Sequence, residues 1–135
     1  MSQTPRNAPS ENARRLVLVA EDDPDVRAYV SVRLERDGYE VMGASDGQQA
    51  LEMMLDRRPD LSLIDLTMPK MDGLDLIRRI RENDALNGMR VIVLSGSFSH
   101  IDSAMKAGAN DYLTKPIGRP EHLLTRVRTA LEPSS

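Results

Sequence analysis

Charged and hydroxyl side chains that could do chemistry follow the apolar segments of this 135-residue chain. They are Glu21, Asp22 and Asp23 after the first apolar run, Asp65 after the third, Ser95 after the fourth and Lys115 after the fifth. Clustered carboxylates raise one another's pKa values unless a cation neutralises them. Oxygen ligands without His or Cys suit a hard ion such as Mg²⁺. If these residues converge, their types predict a divalent cation site.

Each residue also has a purely structural explanation. Asp23 stands before Pro24, and we predict that it is a helix N-cap rather than a ligand. Judged singly, most of the others could be turn residues, loop caps or a solvated lysine. The position of Asp65 favours a functional role even when it is judged singly. It follows Leu63-Ile64, where an apolar strand leaves the core, and a charge buried there needs a partner. The case for a common site rests on joint placement.

The apolar pattern predicts five strands. Three runs have the continuous apolar character of strands covered on both faces, and two are shorter and more polar, as edge strands tend to be. The central runs are Leu16–Ala20, Leu61–Ile64 and Val91–Leu94, and the edge runs are Glu40–Ala44 and Asp111–Thr114.

Segments with helical periodicity separate these strands. The segment from Ile101 to Ala107 has the weakest apolar stripe, and we expect it to be the most mobile helix. Alternating strands and helices predict an α/β fold: a doubly wound, five-stranded parallel sheet with helices on both faces. If the strand order is 2-1-3-4-5, the carboxyl ends of strands one and three are neighbours, and the polar residues meet where open α/β sheets bind ligands.

Four segments resemble the signature blocks of response regulator receiver domains. They are Leu18–Pro24, Leu63–Pro69 with Met71–Gly73, Val93–Ser95 and Gly108–Pro116. The resemblance spans roughly Arg15 to Leu131, and four blocks in order at suitable spacing make it specific. It implies a flavodoxin-like fold and a role in two-component, or phosphorelay, signalling.

The resemblance also implies residue roles. Asp65 would accept a phosphoryl group from a sensor histidine kinase or a histidine phosphotransfer protein. Asp22, Asp65 and the backbone carbonyl of Thr67 would bind Mg²⁺, with Glu21 acting through water. Lys115 and Ser95 would contact the phosphoryl oxygens. The chain would be a phosphoacceptor signalling domain that promotes its own phosphorylation and dephosphorylation, rather than an ordinary enzyme.

Further expectations concern conformation and signal lifetime. Ser95 and Tyr112 match the family's switch pair, and Thr67 and Ser97 match the positions that influence dephosphorylation. Lys115-Pro116 resembles the family's cis peptide. In two departures from the family pattern, Glu21 stands where Asp is commoner, and the loop after Ser95 is slightly short.

Two rival functions remain to be weighed. A haloacid-dehalogenase-like phosphatase also uses an aspartyl nucleophile and Mg²⁺, but its Asp-x-Asp motif lies on the first strand, whereas here Asp65 is followed by Leu66-Thr67 on the third. A pseudo-receiver would be a binding module that lacks the acceptor, the acidic pair or the lysine, and all of these are present.

Length and composition restrict the remaining possibilities. The length predicts one domain over residues 15–131, with a disordered tail over residues 1–14 and a short tail over residues 132–135. The net charge of −3 gives no broad positive field for direct nucleic acid binding. No apolar run reaches the length of a membrane span, and the absence of cysteine excludes thiol chemistry and fits a cytoplasmic location.

The expected partners are therefore proteins. Besides the phosphodonor, we expect an unidentified downstream protein and a homodimer through the fourth helix, fifth strand and last helix. Two arrangements fit the length: a single-domain regulator that signals by docking, or the receiver part of a longer protein.

Overall fold

The computed structural model describes residues 15–132. Strands and helices alternate along the chain in the order β1 (Leu16–Ala20), α1 (Pro24–Arg36), β2 (Glu40–Ala44), α2 (Gly47–Asp56), β3 (Leu61–Asp65), α3 (Gly73–Glu82), β4 (Arg90–Ser95), α4 (Ile101–Ala107), β5 (Asp111–Thr114) and α5 (Pro120–Leu131). A single 3-10 turn, Phe98–His100, precedes α4. The tail predicted over residues 1–14 and all but Glu132 of the tail predicted over residues 132–135 lie outside the described residues.

The five strands form one parallel sheet in the order β2-β1-β3-β4-β5. This confirms the predicted fold class and strand order. The central strands β1 and β3 are buried along their whole length, whereas β2 and β5 at the edges are partly exposed. The apolar character of each run in the sequence therefore corresponds to the extent to which that strand is buried in the sheet.

Two hydrophobic clusters cover the two faces of the sheet, because successive side chains of a strand point to opposite faces. One cluster joins strand residues such as Leu18 and Ile64 to helices α2, α3 and α4. The other joins residues such as Val19 and Leu63 to helices α1 and α5. This double packing fixes β1 and β3 from both sides, so the residues at their carboxyl ends have firm supports.

The helix ends lie at the capping and glycine residues that the sequence indicates. Asp23 is the N-cap of α1, and its side chain accepts hydrogen bonds from the backbone N–H groups of Asp25 and Val26. Gly38 and Gly108 have φ values of 100° and 123°, which residues with a Cβ atom rarely adopt. These residues end the turns after α1 and α4, so each strand starts at a defined place.

Candidate functional site

Three carboxylates meet at the carboxyl edge of the sheet. Glu21 follows β1 directly and Asp65 ends β3, and the two strands pair side by side. Glu21 is fully buried, Asp65 is buried and Asp22 is exposed. Oxygen atoms of these three carboxylates lie within 4.8 Å of one another. The convergence inferred from strand order is therefore present in the fold.

The ammonium group of Lys115 lies between two of these carboxylates. Its Nζ is 2.9 Å from Glu21 Oε1 and 3.3 Å from Asp65 Oδ2. Lys115 comes directly after β5, and its backbone N–H donates to the Ser95 carbonyl at 2.9 Å, which anchors the residue to the end of β4. The Lys115-Pro116 peptide is cis, as the motif predicts. The site thus combines three acidic groups with one cation.

Burial perturbs the titration of this cluster. Loss of hydration raises the pKa of Glu21 to about 7, and the neighbouring Asp65 adds to the rise, while Lys115 and the Asp23 N–H oppose it. Burial lowers the pKa of Lys115, but the carboxylates of Glu21 and Asp65 outweigh this effect and raise it overall. A buried acid with a pKa near neutrality is destabilised when charged, and an additional positive charge would relieve that cost.

The donor set suits a hard divalent cation. All three candidate ligands offer carboxylate oxygens, which Mg²⁺ prefers. Glu21 Oε1 is buried, and among the described residues its only close polar partner is the Lys115 ammonium at 2.9 Å. A buried oxygen with unused capacity and a partly open approach beside the exposed Asp22 fit an ion that keeps some of its water. The cluster could hold such an ion.

The chain after Asp65 folds back tightly over the site. The Thr67 N–H donates to Asp65 Oδ1 at 3.2 Å, which orients the carboxylate. A Cβ at Gly73 would lie 2.7 Å from the Asp65 carbonyl oxygen and 2.7 Å from Leu66 Cα. Only glycine permits this approach, so Gly73 determines how closely α3 begins beside the acidic residue.

The hydroxyl residues of the β4 side lie at the same edge but are not bonded to the carboxylates. Ser95 is the buried last residue of β4, and its Oγ donates to the Ser97 carbonyl at 2.8 Å and accepts from the Ser97 N–H at 3.1 Å. Ser97 and Thr67 are exposed. Tyr112 is half-buried on β5 and packs against the cluster beneath α2, α3 and α4. Ser95 must therefore break a local hydrogen bond before its hydroxyl can donate to a new partner.

Comparisons with known proteins agree with this geometry. The sequence profile of the response regulator receiver domain matches residues 17–128. The chain belongs to this family. It is 33% identical over 123 residues to the DNA-binding response regulator MtrA of Mycolicibacterium smegmatis, covering 90% of this chain and 52% of that protein. It is 40% identical over 117 residues to the transcriptional regulatory protein CseB of Streptomyces avermitilis, covering 85% of this chain and 48% of that protein.

Solved structures give the same result. A putative response regulator from Chloroflexus aurantiacus superposes with a TM-score of 0.83 at 33% identity, covering 87% of this chain and 97% of that one. A chemotaxis response regulator of Vibrio cholerae superposes with a TM-score of 0.81 at 30% identity, covering 87% and 98%. The receiver domain described here therefore spans about half the length of the curated relatives named above, and nearly all of these two solved chains. Within residues 15–132, no helix has the length and apolar character required to cross a membrane.

Two features of this receiver domain were missed in the sequence. The ion pair between Lys115 and Glu21 joins residues 94 positions apart, and no local pattern signals it. The other is Arg27, whose guanidinium donates to the Glu21 backbone carbonyl at 2.6 Å. No local pattern signals this contact either.

Proposed function

We propose that this receiver domain accepts a phosphoryl group on Asp65, in a Mg²⁺-dependent reaction, and thereby changes a surface that binds another protein. The phosphodonor would be a sensor histidine kinase or a histidine phosphotransfer protein. The family membership supports the signalling role, and the arrangement at the sheet edge supports the chemistry.

One observation carries the proposal: the carboxylates of Glu21, Asp22 and Asp65 converge within 4.8 Å, with the Lys115 ammonium 3.3 Å from Asp65. Phosphoryl transfer requires positioning and charge neutralisation more than covalent chemistry from the protein. A carboxylate nucleophile held beside a fixed cation and a potential cation site meets both requirements. It also argues against a pseudo-receiver, in which part of this set would be absent.

In the proposed reaction, an Asp65 carboxylate oxygen forms a bond to phosphorus while the bond from phosphorus to the donor's histidine nitrogen breaks. The imidazole leaves with the electron pair of that bond, and Asp65 becomes an aspartyl phosphate. The Thr67 N–H, 3.2 Å from Asp65 Oδ1, holds the carboxylate in orientation. Lys115, whose ammonium already lies 3.3 Å from Asp65, would contact the phosphoryl oxygens.

Asp22, Asp65 and the Thr67 carbonyl are the proposed ligands of Mg²⁺, and Glu21 would contact it through water. A bound Mg²⁺ would supply positive charge that offsets the charge of the phosphoryl oxygens. The exposed Asp22 is free to orient toward an ion, whereas Glu21 is already held by Lys115 and by the Asp23 N–H at 3.1 Å. This difference supports direct binding by Asp22 and a subsidiary role for Glu21.

We also propose that Ser95 and Tyr112 report the phosphoryl group to the surface. Ser95 would exchange its bond with the Ser97 carbonyl for one to a phosphoryl oxygen, which would pull the loop before α4. The space vacated beside β5 would let Tyr112 turn inward. The face formed by α4, β5 and α5 would then change its affinity for a downstream protein or for a second copy of this domain.

Labelling with a small phosphodonor tests the acceptor. With Mg²⁺ present, the wild-type protein should gain the mass of one phosphoryl group, and Asp65→Asn should gain none. Asp102→Asn is a matched control, because Asp102 is an exposed carboxylate on α4 that pairs with Lys106. Equal labelling of the Asp65→Asn variant, or full labelling of the wild type in chelator, would overturn the acceptor or the metal requirement.

A metal titration tests the ligand ranking. Asp22→Ala should weaken Mg²⁺ affinity more than Glu21→Ala, because only Asp22 is proposed to bind the ion directly. Comparable losses in the two variants would contradict that ranking while leaving the acceptor unaffected.

A further inference from the structure

Arg27 reaches from α1 to the start of the acidic loop across an edge strand. Its side chain passes over Gly43 of β2, where an added Cβ would lie 3.3 Å from Arg27 Cδ. At the far end, the guanidinium donates to the Glu21 carbonyl at 2.6 Å. Glycine inside a strand often marks the close approach of another group, and here that group is the stem of Arg27.

The carbonyl that Arg27 binds is the one at which pairing between β1 and β2 stops. The last rung runs from the Glu21 N–H to the Ala44 carbonyl at 3.0 Å. In a parallel ladder the next rung would run from the Asp46 N–H to the Glu21 carbonyl. In the part of the chain that the structure describes, this rung is not formed, and the guanidinium takes its place. The segments that follow β1 and β2 can therefore separate here. Asp46 caps α2, and Glu21 enters the acidic cluster.

Two electrostatic effects oppose a cation at Arg27, although the nearby carboxylates of Glu21 and Asp22 attract it. Arg27 lies in the second turn of α1, near the positive end of the helix dipole. Its cation also lies beside a proposed cation site, where it would repel Mg²⁺. Because the charge of Arg27 can only weaken the binding of Mg²⁺, any favourable effect of this residue on the ion comes from geometry.

We propose that Arg27 is a positioning residue for the acidic pair: by holding the Glu21 carbonyl it fixes the peptide between Glu21 and Asp22 and directs both carboxylates toward Asp65. This inference rests on the proposed Mg²⁺ site. It goes further by assigning a favourable role to a group whose charge acts against the ion.

The sign of a mutational effect tests this proposal. Arg27→Met keeps much of the stem but removes the charge and the hydrogen bond. If the residue acts by position, Mg²⁺ affinity of the variant should fall by roughly tenfold, the size of effect seen when groups that orient metal ligands are lost. If charge alone matters, affinity should rise. Mg²⁺ titration of the unphosphorylated protein, followed by the amide NMR signal of Asp22, measures the change directly.

Two controls separate positioning from general effects. Arg36→Met removes the same charge from the exposed far end of α1 and should leave the affinity unchanged or slightly higher. In an Asp22→Ala background, Arg27→Met should cause much less further loss, because the ligand that it directs is gone. Thermal unfolding in chelator checks that each variant is folded.

Gly43→Ala provides a second route that leaves every site residue in place. The added methyl group should displace the Arg27 stem by a few tenths of an ångström, so Mg²⁺ affinity should fall by a few-fold, and the effect should vanish in the Arg27→Met background. If Arg27→Met fails to fold, the Gly43 variant decides the question. If the wild-type protein binds Mg²⁺ and these variants bind it equally or more tightly, the positioning role alone is overturned. Failure of the wild-type protein to bind Mg²⁺ would overturn both this role and the proposed metal site.

Discussion

The acidic cluster and the segment from β4 to β5 lie at the same edge of the sheet but are built differently. Glu21 and Asp65 are attached to the two central strands, are buried, and are held by Lys115 at 2.9 and 3.3 Å. In the other region, α4 has seven residues, and Phe98 in the turn before it is 74% exposed. One region is built from buried strand ends, whereas the other includes a short helix and an exposed turn.

The contrast fits the proposed combination of chemistry with a conformational response in one small domain. Charges that must meet a phosphoryl group need fixed positions, which buried strands provide. A surface that reports the event would need two arrangements of similar free energy, and a short helix preceded by an exposed turn would suit this requirement. Ser95 connects the two regions, since it ends the buried strand β4 while its hydroxyl is bonded to the exposed loop.

The largest expected effect concerns stability. Ile64→Ala in β3 should lower the free energy of unfolding by about 3 kcal/mol, because removing a fully buried side chain leaves a cavity between the sheet and helices α2, α3 and α4. Met105→Ala on the exposed side of α4 should change it by less than about 0.5 kcal/mol. Denaturant titration measures both. Similar losses in the two variants would show that the two regions do not differ in packing.

The next effect concerns pH and the acidic cluster. The folded protein holds the Glu21 proton up to a pH of about 7, because its pKa is raised by burial, whereas the unfolded chain releases it near the ordinary pKa of 4.5. The folded state therefore binds more protons between these values, and this group's contribution to stability falls as the pH rises from about 4.5 to about 7.

Metal-free protein should lose about 3 kcal/mol across that interval through Glu21. Glu21→Gln should remove this part of the pH dependence, and Mg²⁺ should stabilise the wild-type protein more at pH 8 than at pH 5.5. Urea unfolding in chelator at several pH values gives the comparison. Parallel pH profiles for the wild type and Glu21→Gln would show that burial of this carboxylate costs little.

A smaller effect is expected in the β4 to β5 region on activation. Phosphorylation, or a beryllofluoride mimic, should shift the amide NMR signals of Ser95, Tyr112 and α4 and change hydrogen exchange in α4 by about tenfold, the range of ordinary coupling energies. The signals of β2 and α2 should change little. Asp65→Asn treated in the same way is the control. Shifts confined to the acidic cluster would contradict the proposed switch.

The smallest effect concerns the lifetime of the phosphoryl group. Thr67 and Ser97 are exposed hydroxyl residues, with room for water beside them. Thr67→Arg or Ser97→Arg should shield the phosphorus and slow phosphate loss by about threefold, under 1 kcal/mol in activation free energy. Mg²⁺ affinity should change much less, because the proposed ligand at Thr67 is its backbone carbonyl. Unchanged decay in both variants after removal of the donor would show that these positions do not control access of water.

The sequence alone determined the elements and their order. Apolar runs and helical stripes predicted all five strands, and the predicted limits of α4 are those observed, Ile101 to Ala107. Asp23 was predicted as the N-cap of α1 from the proline that follows it, which the structure confirms. These features depend on residues a few positions apart, whose preferences for burial and backbone conformation act locally.

Only the tertiary structure decided which side chains contact one another at the site. The pairing of Lys115 with Glu21, the bond from Arg27 to the Glu21 carbonyl and the bond from Ser95 to its own loop could not be inferred from spacing. Strand order brings distant residues to one edge, but the rotamer and burial of each side chain determine its partner there. Those depend on packing by helices from both faces of the sheet, to which residues from the whole chain contribute.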